Sequence, residues 1–61
     1  MNTTLMRIEQ VCFVTGFKKP TIYEWMRKGK FPRPIKIGRS ARWPSCDVER
    51  WIAEKIDEIK R

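Results

Sequence analysis

The segment from Gly16 to Trp43, GFKKPTIYEWMRKGKFPRPIKIGRSARW, leaves few folds open to this chain. Its glycines and prolines cut it into one short helix and two short extended runs. Lys18, Lys19 and Pro20 open the helix, since proline is tolerated in a first turn, where its missing N–H would have no intrahelical partner. Ile22, Trp25 and Met26 give the helix one apolar face, and Gly29 is placed to close it. Phe31-Pro32-Arg33-Pro34 cannot continue a helix, because each proline removes a donor and drives the residue before it toward extended geometry. Ile35-Lys36-Ile37 and Ala41-Arg42-Trp43 then alternate apolar and basic residues around Gly38-Arg39-Ser40. That pattern predicts a hairpin with Ile35, Ile37 and Trp43 toward the core and Lys36 and Arg42 toward solvent or a ligand.

The flanks complete the plan. From Arg7 onward, Ile8, Val11, Cys12, Val14 and Thr15 have the three-to-four spacing of a helix with one buried face, and Gly16 suits a left-handed end. Residues 1–6 show no clear periodicity, although Leu5 and Met6 are apolar enough to cover one edge of a core. Pro44 and Ser45 punctuate a last helix, with Ser45 as N-cap and with Asp47 and Glu49 in the first turn, where carboxylates suit the dipole. Val48, Trp51, Ile52, Lys55, Ile56 and Ile59 form its inner stripe, and Lys60 and Arg61 stand at its negative end. Trp43 and Trp51 are expected in the core and not as platforms for base stacking. The order helix, turn, helix, hairpin, helix predicts a mostly α chain with a small β-hairpin, a winged helix-turn-helix. Residues 1–61 are expected to form one domain, marginal in stability because so short a chain buries only about 60% of its unfolded surface.

Charge says what such a domain would touch. Lys and Arg number 14 against 7 acidic residues. Residues 1–43 hold ten basic and two acidic side chains, whereas residues 44–61 hold four and five. One sign over the first two thirds and an acidic-leaning last segment point to a polyanion on one face and a helix packed behind it. Without any His, and with Cys12 and Cys46 34 positions apart, neither a zinc site nor a CxxC redox pair can be assembled. Both cysteines are expected as small buried residues of a cytoplasmic protein. No segment resembles a signal peptide or a membrane span. The absence of a glycine-rich phosphate loop or a spaced carboxylate pair gives no support for catalysis, and no cofactor, metal or small-molecule ligand is expected.

In a helix-turn-helix the second helix lies in the major groove with its N-terminal residues toward base edges. Here that turn carries Lys18, Lys19, Pro20 and Thr21. Positive charge at a helix N-terminus costs ~0.3–1 kcal/mol per side chain, and Lys18 stands where Ser, Thr or Asp would cap. An incoming phosphate would compensate. Thr21 and Tyr23 can each donate to a phosphate or meet a thymine methyl, and Tyr23 can equally be a half-buried core ring. Arg27 and Lys28 on the same helix, and Lys36, Arg39 and Arg42 on the hairpin, extend the basic surface without an obvious acidic neighbour in sequence. Arg39, Ser40 and Arg42 at the hairpin tip suit a wing laid against phosphates or the adjacent minor groove. Glu24 can accept from cytosine N4 or form a salt bridge.

Ile8 and Val11, Thr15-Gly16, Thr21-Ile22-Tyr23, Gly29-Lys30-Phe31-Pro32, Pro34, Gly38, Trp43 and Asp47-Val48-Glu49-Arg50-Trp51-Ile52 together resemble the AlpA-like phage and prophage regulators. These are related to excisionases and, more distantly, to the DNA-binding domain of MerR-type activators. The resemblance implies binding to specific double-stranded DNA sites through the second helix and wing, often as adjacent copies, with integrase or RNA polymerase as further partners. It implies either control of integrase transcription or bending of attachment-site DNA to direct excision. The family usually has Ser or Thr near position 18 and a small polar residue at position 20, and this chain departs at both. A second class of reading is a protein-interaction module whose basic face grips an acidic partner such as a response regulator or a recombinase.

Overall fold

Six elements follow one another in the computed structural model, which describes residues 3–60: β1 (Leu5–Met6), α1 (Ile8–Thr15), α2 (Lys19–Arg27), β2 (Ile35–Ile37), β3 (Ser40–Pro44) and α3 (Ser45–Ile59). Three helices and a small antiparallel sheet make this a winged helix-like fold, as the sequence pattern predicts.

Val11, Ile22, Trp43 and Val48, one residue each from α1, α2, β3 and α3, are the most deeply buried apolar side chains, joined by Met6 and Phe31. Two local features hold α1 and α2 in place around this cluster. Gly16 adopts φ 80°, and its N–H donates to the Cys12 carbonyl at 2.8 Å, so the chain turns out of α1 in the left-handed region that only glycine enters at no steric cost. At the other end of α1 the Arg7 amide donates to Gln10 Oε1 at 3.0 Å. Only this half of a capping box can form, because a guanidinium has no acceptor.

The sheet has the order β1-β3-β2, with β3 in the middle. β1 is not foreseen by a periodicity argument, since two residues are too few to show alternation; Met6 pairs with Trp43 and Leu5 with Pro44. Ser45 holds this strand. Rather than capping α3, whose N-cap is Pro44, it is buried; its amide donates to the Thr4 carbonyl at 2.7 Å and its hydroxyl accepts from the Thr4 amide at 2.8 Å. The N-terminal strand competes for the hydroxyl that a helix cap would use. Ser45→Ala is expected to cost about 1 kcal/mol and to expose the Thr4 amide to hydrogen exchange, with α3 intact. Urea unfolding and exchange rates read the two effects separately.

The wing departs from expectation in register. Ile37 pairs with Ser40, Lys36 with Ala41 and Ile35 with Arg42, so the loop is Gly38-Arg39 and Ser40 belongs to β3. Gly38 has φ 62° and Arg39 a negative φ, the sign pattern of a II′ turn with glycine at its first central position. A loop shorter by one residue moves each pairing by one and reverses a face. Ile35 and Ile37 therefore share the face of Arg42 and Ser40 and stay 45% and 50% exposed instead of entering the core, whereas Trp43 is buried as expected.

Other apolar residues are also more exposed than their spacing predicts. Val14 is half exposed, and the stripe of α3 is enclosed at Val48 but open at Ile56 and at Ile59, which is 83% exposed. The last turns of α3 run past the elements that cover its first half. Cys12 and Cys46 are unpaired and only partly buried. Lys60 caps α3, and the predicted companion Arg61 lies outside the described residues. Among the described residues no helix is long and apolar enough to cross a membrane.

Candidate nucleic-acid interface

α2 packs through Ile22, with Trp25 and Met26 against the same core. Helical spacing then puts Pro20, Glu24 and Arg27 at the middle of its outer face, with Lys19 and Tyr23 on one flank and Thr21 and Lys28 on the other. Tyr23 is half exposed and Thr21 partly buried. Lys18 is the N-cap residue and no side chain caps the helix, so its first turn carries two lysines and no carboxylate. Pro20 removes one amide from that turn.

The cations divide into those already engaged and those free. Lys19 Nζ lies 3.3 Å from Glu9 on α1, a bridge across the two helices. Glu24 receives Lys28 at 3.1 Å and Arg27 at 3.6 Å. The sequence reading treats Arg27 and Lys28 as lacking an acidic partner, and this is corrected by the i,i+3 and i,i+4 geometry, which brings both onto one carboxylate. The Lys28 ammonium, through its hydrogen bond and charge, and then Arg27 hold the Glu24 carboxyl below the ordinary glutamate value. Glu9 is lowered by its own backbone amide and then by Lys19. A carboxyl depressed in the fold contributes stability above its unfolded value and loses it as pH falls through the folded one, so both bridges hold at neutral pH and are lost in acid. All these side chains are solvated, and such pairs contribute little to stability.

On the wing, Lys36, Arg39 and Arg42 have no carboxylate within 4.0 Å among the described residues, and the same holds for Lys18. Arg39 stands in the turn, exposed. Arg42 lies beside Ser40 on the face of Ile35 and Ile37, and its guanidinium donates to the Ala41 carbonyl at 2.9 Å. Lys36, paired with Ala41, is on the opposite face, so the expectation that Lys36 and Arg42 share one basic face is overturned by the register. Lys30 and Arg33, in the connector between α2 and β2, are exposed cations that the motif reading passes over because the prolines around them dominate the pattern.

Two indoles fix that connector. Trp43 Nε1 donates to the Pro32 carbonyl at 3.0 Å and Trp51 Nε1 to the Lys30 carbonyl at 2.7 Å. The connector between α2 and the wing is therefore held by one buried tryptophan, Trp43, and one partly buried, Trp51, which the sequence pattern places in the core.

The family model of the prophage CP4-57 regulatory protein, AlpA, matches residues 4–56, from the residue before β1 to the penultimate turn of α3. The chain belongs to the AlpA family of prophage regulatory proteins. All ten side chains on α2 and the wing that the sequence singles out lie within the matched AlpA span. An uncharacterized protein of Enterobacteria phage P4, ORF88, is 35% identical over 57 residues, which cover 92% of this chain and 65% of that protein. The chain thus spans a little less than two thirds of the length of that relative. No solved structure matches the chain.

Proposed function

We propose that this AlpA-family chain is a sequence-specific reader of double-stranded DNA that regulates a prophage or integrative element, through integrase expression or excision. α2 enters the major groove, with Lys18, Lys19, Thr21 and Tyr23 reading or positioning at its N-terminal half, and Arg39, Ser40 and Arg42 of the wing lie on phosphates or in the adjacent minor groove. Lys36 neutralises backbone charge from the other side of the wing. The observation that carries this reading is the coexistence of an uncapped, lysine-bearing first turn on α2 with a wing whose cations lack protein partners among the described residues. The first costs local stability in isolation, and both are complemented by a polyanion. A module of this size buries about 600–1,000 Å² on DNA, so useful affinity calls for adjacent copies or a second protein on the site.

Binding to duplex DNA across a salt series tests the reading, because Z phosphate contacts give a log–log slope of about −0.9Z. A slope near zero would contradict it. Glu24 provides a sharper test. Since it occupies Arg27 and Lys28, Glu24→Gln is expected to tighten binding and to steepen the slope by about one for each cation released. If the same change weakens binding and relaxes preference at a single C·G pair, Glu24 instead accepts from cytosine N4.

A further inference from the structure

A groove of about 480 Å³ lies between the end of α1, the inner edge of α2 and the outer half of α3. None of the candidate DNA-contacting residues lines it. Its walls are Phe17, Trp25, Trp51 and Ile56, and its two charged members are Lys30 and Lys55. We propose that this groove docks an amphipathic helix of an acidic partner protein.

The groove is built before any partner arrives. Phe17 meets Trp25 edge-on at 4.8 Å between ring centroids, Trp25 meets Trp51 at 5.7 Å, and Trp51 meets Phe31 at 4.8 Å. Lys30 is tied to two of these residues, since its amide donates to the backbone carbonyl of Trp25 at 2.7 Å and its own carbonyl accepts from the Trp51 indole. Little ordering remains to be done on binding, which is how a preformed apolar pocket gains affinity. Along one side, Ile56 and Ile59 continue the α3 stripe from Ile52, which packs against the core, to beyond the part that the fold covers. A stripe at this spacing is complemented by the apolar face of another helix lying beside it.

The charge of the rim selects the partner. Two lysines and no carboxylate line the groove. Lys30 has no ion pair among the described residues, and Lys55 sits 5.7 Å over the Trp51 ring, 3.4 Å from Glu58 at the outer edge. Nucleic acid is disfavoured because an apolar floor offers phosphates nothing. A second copy docking through the same groove is disfavoured because it would set lysines against lysines. A helix with apolar residues on one face and glutamates along its borders meets both the floor and the rim.

The test uses the full chain, isotopically labelled, and two synthetic helix-forming peptides with leucines on one face, one bordered by glutamates and its twin by lysines. The glutamate peptide is expected to shift the Trp25 and Trp51 indole resonances saturably, with the lysine twin roughly tenfold weaker. Ile56→Glu, at a half-exposed position, and Lys30→Glu, in the exposed connector, are each expected to weaken the glutamate peptide several-fold while leaving the rest of the spectrum unchanged. Four results would overturn the proposal: equal binding of both peptides, shifts confined to Lys36, Arg39 and Arg42, no shift at all, or the same indole shifts on concentrating the protein alone together with a doubled mass. The last would mean that a second copy occupies the groove. Duplex DNA plays no part in the measurement, so its outcome is separate from that of the DNA reading.

Discussion

Trp43→Ala is expected to leave the chain without a stable fold at 25 °C. Trp43 is 2% exposed in the central strand, opposite Met6, and its indole holds the Pro32 carbonyl. Removing a buried Trp costs about 3–5 kcal/mol, and a core of this size rarely supplies more than about 3–5 kcal/mol in total. The substitution therefore consumes the whole margin, and it also leaves a carbonyl of the connector without its donor. Trp43→Phe separates the two contributions, since it keeps most of the apolar area and loses the hydrogen bond. That variant is expected to remain folded with a stability lowered by about 1–2 kcal/mol. Far-UV circular dichroism with urea titration distinguishes the cases; a cooperative transition for Trp43→Ala at an unchanged midpoint would show that the core does not depend on this side chain.

The double variant Arg39→Ala/Arg42→Ala is expected to reduce affinity for duplex DNA about 100-fold while leaving the fold in place. Both guanidiniums lack carboxylate partners among the described residues, one in the exposed turn and one beside Ser40. A hydrogen bond to a charged group contributes about 1.5–3 kcal/mol, and two such losses near the lower limit amount to about 3 kcal/mol, or two factors of ten. The salt slope is expected to fall by about two at the same time. A matched loss at Lys19 is expected to be smaller, because Lys19 must first leave Glu9. Anisotropy titrations at several salt concentrations read affinity and slope together, and an unchanged slope would remove the wing from the interface.

Helix positions were legible in the sequence because glycine and proline mark their ends with a mechanism. Gly16 does turn the chain out of α1, and Pro20 does sit in the first turn of α2. The hairpin too is legible as an element, but not its register. Gly38-Arg39-Ser40 admits a loop of two or three residues, and the choice between them decides whether Ile35 and Ile37 or Lys36 lies on the face of Trp43. Composition cannot decide it, since both readings alternate apolar and basic residues equally well. Ser45 is a similar case. A serine after proline and before an acidic turn has the signature of a cap, yet it faces a strand whose two residues carry no periodic signal.

The candidate site divides along the same line. Which residues are basic and on which element was legible; which of them are free was not. Glu24 is surrounded by apolar and basic neighbours in sequence, and only the turn of the helix shows that it engages Arg27 and Lys28 together. The aromatic groove brings together Phe17, Trp25 and Trp51 from three parts of the chain; Trp25 and Trp51 each read alone as core, and Phe17 carries no pattern of its own. The exposure of Ile56 and Ile59 beside them follows from α3 running past the body, a property of packing and not of any local pattern.

Whether α2 and the wing read a specific DNA sequence is decided by fluorescence-anisotropy binding to duplex from the region upstream of the gene for this chain, against a scrambled duplex, at two salt concentrations. A preference for the native duplex that survives the higher salt is expected, because base contacts persist where counterion release weakens. Equal binding to both duplexes, lost together as salt rises, would contradict it.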